Sequence, residues 1–204
     1  MKQMNTMQLL SVTEAAEKLS AVDKSTIPAP TRNKGYRGNM LEIALGIPNT
    51  KSLKDFLDGD MKSFKLGQPV AITMLGHCLD EIISNTVEFE DSKVFAKLEK
   101  TLLVGFDEQN NFVAAKVIDL HADTEHCIKL AEDYSYIAAV IKHAYLTGQT
   151  LHTINGPNKI MQIRTKASEG KNGYTPLCYN GVELKDKSMA FYFLGSYAKN
   201  IILK

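Results

Sequence analysis

Asp55-Phe56-Leu57-Asp58-Gly59-Asp60-Met61-Lys62-Ser63-Phe64-Lys65 runs into Leu66-Gly67-Gln68-Pro69-Val70-Ala71-Ile72-Thr73-Met74. From Leu53 to Leu75 the pattern is that of strands. Gly59 and Gly67–Gln68–Pro69 supply turns, and Val70, Ile72 and Met74 alternate with smaller or polar residues. Upstream the pattern is helical. Ser11 and Glu14 have capping-box spacing ahead of Ala15, Ala16 and Leu19. Pro28 and Pro30 mark a loop, and Asn39 is expected to cap a short helix carrying Leu41, Ala44 and Leu45 and closed by Gly46.

Downstream, residues 91–100 predict a helix and Leu102 to Phe106 a strand. Asp107 to Asn111 then turns the chain back into Phe112 to Asp119. Asp123 opens the longest helix, with apolar residues from Cys127 to Tyr145 at helical spacing and Gly148 at its end. The tail reads as short strands at Ile160–Ile163, Pro176–Tyr179, Val182–Leu184 and Met189–Phe193. Asn180–Gly181 makes a hairpin turn, and a final helix covers Ser196 to Leu203. Helices, a strand meander, a long helix and more strands predict an α+β fold with a mixed β-sheet flanked by helices. No GxGxxG, Walker or GxSxG pattern occurs.

The chain has 204 residues, 44% of them hydrophobic and 23% charged, which suits one domain of ordinary globular composition, with room for two lobes. No apolar run approaches the roughly 20 residues that span a bilayer. Met1 to Leu10 carries one lysine and no signal-like run, so the expected location is cytoplasmic, with no membrane partner. Cys78, Cys127 and Cys178 lie far apart and read as free thiols. His121, His126 and Cys127 lack a second ligand pair at zinc spacing.

Net charge is only +1, yet it is unevenly spread. Residues 24–62 carry a balance of +3, residues 77–135 a balance of −8 and residues 155–204 a balance of +5. Two basic segments separated by an acidic one fit a basic cleft with an acidic back, as a nucleic-acid partner requires.

Residues two apart on a strand share a face, so Asp60 and Lys62 project together. Asp55 can meet them across the turn at Gly59. Two carboxylates with a strand carbonyl form a hard oxygen site suited to Mg²⁺. A neighbouring lysine can orient or deprotonate a water and steady phosphate charge. An Asp–x–Lys unit alone is common, and a DGD turn alone is usually only a turn. Glu42, three residues after Asn39, also reads as the partner in a capping box.

The wider pattern adds weight. Lys34-Gly35-Tyr36-Arg37-Gly38-Asn39-Met40-Leu41-Glu42-Ile43-Ala44-Leu45-Gly46 resembles the "KGxxGxxLExxLG" signature of the MutH endonuclease family. That family contains the methyl-directed mismatch-repair nicking enzyme and restriction enzymes that cut GATC. Asp55–Phe56 and the Asp60–x–Lys62 unit follow in the family's order. Val94-Phe95-Ala96-Lys97-Leu98 is similar to a family segment whose lysine approaches the cleaved phosphate. Gln162-Ile163-Arg164-Thr165-Lys166-Ala167 resembles its "QIRPKA" recognition loop, and Phe191–Tyr192 its aromatic pair.

The resemblance implies a restriction-endonuclease-like core formed by about residues 1–75 plus 90–120, and a DNA-recognition lobe over about 150–204. It implies a sequence-specific deoxyribonuclease that uses Mg²⁺, or Mn²⁺ in its place, on double-stranded DNA at GATC-like sites and senses adenine methylation. Glu42, Asp55, Asp60, Lys62 and Lys97 form the implied catalytic set, with Asp55, Asp60 and Glu42 on the metal. Lys34, Arg164, Lys166 and Tyr192 are the implied DNA contacts. Homodimerisation on DNA, or activation by a partner ATPase, goes with that reading. Asp60 replaces the usual Glu and lies five residues after Asp55 rather than seven, and Thr165 replaces proline.

Two alternatives stand beside it: a non-catalytic DNA-binding module, expected to lack the acidic and lysine residues, and a mismatch-repair nickase. A second acidic–x–Lys unit, Glu183-Leu184-Lys185, follows the Asn180–Gly181 turn with no acidic residue shortly before it. Catalysis is therefore assigned to Asp60 and Lys62.

Overall fold

The computed structural model describes residues 9–23, 25, 27, 36–47, 54–85, 87–167, 169–170 and 173–204. It is α+β, with several sheets flanked by helices. The first helix, α1 (Val12–Ala21), carries the full capping box between Ser11 and Glu14. The second, α2, spans Tyr36–Leu45. Asn39 therefore lies inside the helix and does not cap it, so Glu42 has no capping-box role. The earlier start has a tertiary cause: Arg37 is buried with its guanidinium 4.1 Å from the Phe106 ring centre and hydrogen-bonded to Asn110. Packing of that first turn outweighs the local preference of Asn39.

Strands β1 (Asp60–Lys65) and β3 (Lys100–Phe106) are parallel, and β3 pairs antiparallel with β4 (Phe112–Asp119). This three-stranded sheet is mixed, with β3 in the centre. Its unbroken apolar run fits a strand covered on both faces. Leu102, Val104 and Phe106 enter one core with Val12, Ala15 and Leu19 of α1, Leu41 and Leu45 of α2, and Met61. Leu103 enters the other core together with Phe64.

The second core lies against α3 (Lys93–Leu98), the 24-residue α4 (Thr124–Thr147) and α5 (Gly195–Leu203). A four-stranded antiparallel sheet completes it, in the order β2 (Val70–Met74), β11 (Met189–Phe193), β6 (Met161–Thr165) and β5 (Ile154–Asn155). Two hairpins stand outside these sheets: β7 (Glu169–Gly170) with β8 (Gly173–Tyr174), and β9 (Pro176–Tyr179) with β10 (Val182–Lys187). Asn180 and Gly181 make the expected turn, both with positive φ.

The sheet pairing departs from sequence order where β1 pairs with β3, and where β11 pairs with both β2 and β6. β2, grouped by sequence with residues 1–75, pairs with β11 and so joins the tail's sheet. The short turn at Gly67–Pro69 carries the chain from one sheet to the other. Among the described residues no helix is long and apolar enough to cross a membrane.

Candidate active site

The segment 54–59 is a run of bends held from outside. The Asp58 carboxylate accepts the Val12 N–H at the start of α1 (2.7 Å) and pairs with Lys100 (2.9 Å). Phe56 is buried in the first core. Gly59 has almost no room: a Cβ there would lie 2.0 Å from the Lys100 carbonyl oxygen and 2.7 Å from a Val12 methyl. Close approach to β3, rather than a special φ, is what requires glycine at this position.

These restraints bring Asp55 onto the first residue of β1. The Asp55 N–H donates to Asp60 Oδ1 (3.2 Å), and the Met61 N–H donates to Asp55 Oδ2 (3.0 Å). The two carboxyls also lie close enough for each to act on the ionisation of the other. Strand alternation places Lys62 beside Asp60, with Nζ 2.5 Å from Oδ2. Lys97, on the last turn of α3, reaches the same oxygen at 3.2 Å. Asp60 is 1% exposed and the two lysines under one-fifth.

Burial, and then the neighbouring Asp60, raise the Asp55 pKa to about 6. Burial acts the same way on Asp60, but Lys62, the contact with Asp55 and Lys97 overcome it and hold that carboxyl below the usual range. Below about pH 6 the pair thus carries one proton, with the remaining charge balanced by ammonium groups.

The tail delivers a second group of cations. Arg164 and Lys166 lie 5.8 Å and 6.0 Å from the centre of the Tyr192 ring, on the neighbouring strand. Lys166 is exposed, and partial desolvation together with the charge of Lys62 lowers its pKa. Lys166 and Lys62 are therefore electrostatic neighbours, although 104 positions separate them in the sequence.

Not every expected residue joins this group. Glu42 is partly exposed on α2, which packs on the Met61 face of β1, whereas Asp60 and Lys62 alternate to the other face. Among the described residues no hydrogen bond or ion pair joins Glu42 to Asp55, Asp60 or Lys62. Lys34 lies outside the described residues. Glu183 and Lys185 are exposed on β10, and Lys185 donates to the Gly148 carbonyl at the end of α4. His126 hydrogen-bonds Tyr197, and His121 faces Glu99.

Sequence reading passed over four side chains that organise the region. Asp58 and Lys100 anchor the turn, and Glu99 pairs with Lys54. Their only sequence signal was position: each lies within three residues of a candidate catalytic residue.

A test of the carboxyl pair follows from its charge. In metal-free protein Asp55 keeps a proton between its ordinary 3.8 and about 6 that the unfolded chain releases. Its contribution to stability is full below about pH 4 and is lost as pH rises through 6. Asp55→Asn removes that loss and retains an acceptor for the Met61 N–H. With allowance for solvent screening at a partly exposed site, the gain at pH 7.5 is on the order of 1 kcal/mol. Tm in EDTA should rise by about 2–4 °C at that pH and change little near pH 4. A variant less stable than the parent at pH 7.5 would refute the strained pair.

Among the described residues no three His, Cys, Asp or Glu side chains gather closely enough to hold an ion between them. The donors present are a pair of carboxylates. That number suits Mg²⁺, which keeps several waters and takes one or two carboxylates together with substrate phosphate. No protein-family model matches the chain, and no curated protein matches it.

Proposed function

We propose that the chain is a divalent-cation-dependent deoxyribonuclease of the MutH type that hydrolyses phosphodiester bonds in duplex DNA. The observation that carries this reading is the Asp55–Asp60 carboxyl pair with Lys62 and Lys97 on one Asp60 oxygen, beside the Lys166–Arg164–Tyr192 group. Carboxylates, lysines and an aromatic–cationic surface are the parts that phosphodiester hydrolysis on DNA needs. The charge of Lys62 acts on Lys166, which supports a link between the two groups beyond the order of the sequence motifs.

Asp55 and Asp60 would hold the ion, which supplies Lewis-acid stabilisation of the charge developing on the phosphate. Ionisation of both carboxylates requires Asp55 to lose its proton, so activity should rise as pH passes through about 6. Lys62, charged against Asp60, orients the attacking water and steadies the non-bridging oxygens. Lys97 approaches the same phosphate from α3. Glu42, partly exposed on α2, enters only as a group for positioning water or a second ion.

Cleavage of supercoiled plasmid should require Mg²⁺ or Mn²⁺. Ca²⁺ should support binding without cutting, because it is larger and geometrically less demanding. Plasmids with and without adenine methylation at GATC report strand count and methylation response in one assay. Full conversion in excess EDTA would sink the metal mechanism. No conversion with either active metal on any plasmid would favour a DNA-binding module without chemistry.

Arg164, Lys166 and Tyr192 are proposed as the base-reading group. Lys166→Ala or Tyr192→Phe should change the preferred sequence or methylation response by about 5–150-fold, from the roughly 1–3 kcal/mol that a base contact discriminates. Contacts to phosphate act on all sequences alike. Equal loss on every DNA would remove these residues from base reading.

A further inference from the structure

We propose that the Lys54–Glu99 ion pair is a positioning clasp that sets the Asp55 carboxylate against Asp60 and Lys97. Its catalytic meaning rests on the endonuclease reading.

Asp55 sits in a segment without regular structure, so the location of its carboxylate depends on what holds the segment. The far end is secured to α1 and β3 by Asp58, through the Val12 N–H and Lys100, and by the Leu57 N–H donating to the Leu10 carbonyl (2.9 Å). The near end, next to Asp55, is held by the pairing of Lys54 with Glu99.

Glu99 is a rigid post. It is the C-cap of α3; its N–H donates to the Phe95 carbonyl (2.7 Å), and its carbonyl accepts the Leu120 N–H (2.8 Å). One carboxylate oxygen takes Lys54, and the other faces His121 Nε2 at 3.5 Å. Glu99 also stands two residues after Lys97, the lysine bound to Asp60. A single ion pair therefore spans the two segments that meet at the carboxyl pair: the bend carrying Asp55 and the helix end carrying Lys97.

Both partners are roughly one-quarter exposed, so the pair contributes little to global stability. Its leverage is geometric. Misplacing a reacting or liganding group by about 1 Å can cost about 10²-fold in rate. Groups that orient a metal's ligands typically cost about 10–100-fold in affinity or activity when lost.

The test compares full-length Lys54→Met, Glu99→Gln and the exchanged pair Lys54→Glu/Glu99→Lys with the parent. Amide hydrogen exchange is followed at Asp55 and Met61 in metal-free protein, because both N–H groups donate within the carboxyl pair. Mn²⁺ affinity is measured directly, and single-turnover cleavage with DNA binding in Ca²⁺ completes the set.

Each single variant should speed exchange at Asp55 and Met61 about tenfold or more while Tm stays within a few degrees of the parent. Mn²⁺ affinity and the cleavage rate should each fall about 10–100-fold, with DNA binding unchanged. The exchanged pair should recover most of the protection and affinity. Unchanged exchange in the single variants, or an exchanged pair as impaired as either, overturns the clasp. A parent that cuts no DNA while the exchange and Mn²⁺ results hold would remove the endonuclease reading and leave the clasp in place.

Discussion

Asp60→Ala and Lys62→Ala should each lower cleavage by about 10²–10³-fold or more, the range seen when one preorganised electrostatic group is lost. DNA binding in Ca²⁺ should remain measurable. Asp60 is the hub of the site: it takes Lys62 and Lys97 on one oxygen and the Asp55 N–H on the other. Its removal leaves two ammonium groups facing each other and takes away one of the proposed ion's two carboxylates. Lys62→Ala removes the cation nearest Asp60, whose charge also acts on Lys166.

The control is the rival acidic–x–Lys unit. Glu183→Ala with Lys185→Ala should cut nearly as fast as the parent, because both residues are exposed on β10 and Lys185 is engaged at the end of α4. Cleavage lost in that double variant and kept in Asp60→Ala would place the chemistry on the wrong strand.

Asp133→Ala should be the most destabilising single change among those considered. Asp133 is fully buried on α4, and its carboxylate accepts the N–H groups of Asn158 (2.7 Å), Ile160 (2.9 Å) and Met161 (2.8 Å). It thereby fixes the loop that leads into β6, the strand that carries Arg164. Alanine would leave three N–H donors without their acceptor, at about 1–3 kcal/mol for each that stays dry.

Allowing for water entry, the expected loss is about 3–5 kcal/mol, or about 10 °C or more in Tm. Gly156→Ala should act in the same direction, because a Cβ there would fall 2.1 Å from the Asp133 carboxyl carbon. Urea unfolding measures both. A shift below about 1 kcal/mol in Asp133→Ala would show that the loop holds without its carboxylate.

Much of the fold was legible without coordinates because local rules act over a few residues. The Ser11–Glu14 capping box, the long helix from Asp123 to Gly148 and the Asn180–Gly181 turn are all dictated by neighbouring side chains. The same holds at the site: a period of two is enough to put Asp60 and Lys62 side by side. Asn39 failed as a cap because a distant contact, Arg37 on Phe106, pays more than the local preference.

What the sequence by itself determined is therefore the α+β class, most element positions and the Asp60–Lys62 unit, since each depends on periodicity or on residues a few positions apart. Only the tertiary structure decided that β2 leaves its sequence neighbour β1 to pair with β11, and that α2, which carries Glu42, packs on the Met61 face of β1. Tertiary packing also brings Lys97 onto Asp60, sets Lys166 beside Lys62 and pairs Lys54 with Glu99. Those relations depend on how two cores pack on opposite faces of β3. Apolar pattern marks a residue for burial without saying which core it enters, and a charge has no sequence periodicity that names its distant partner.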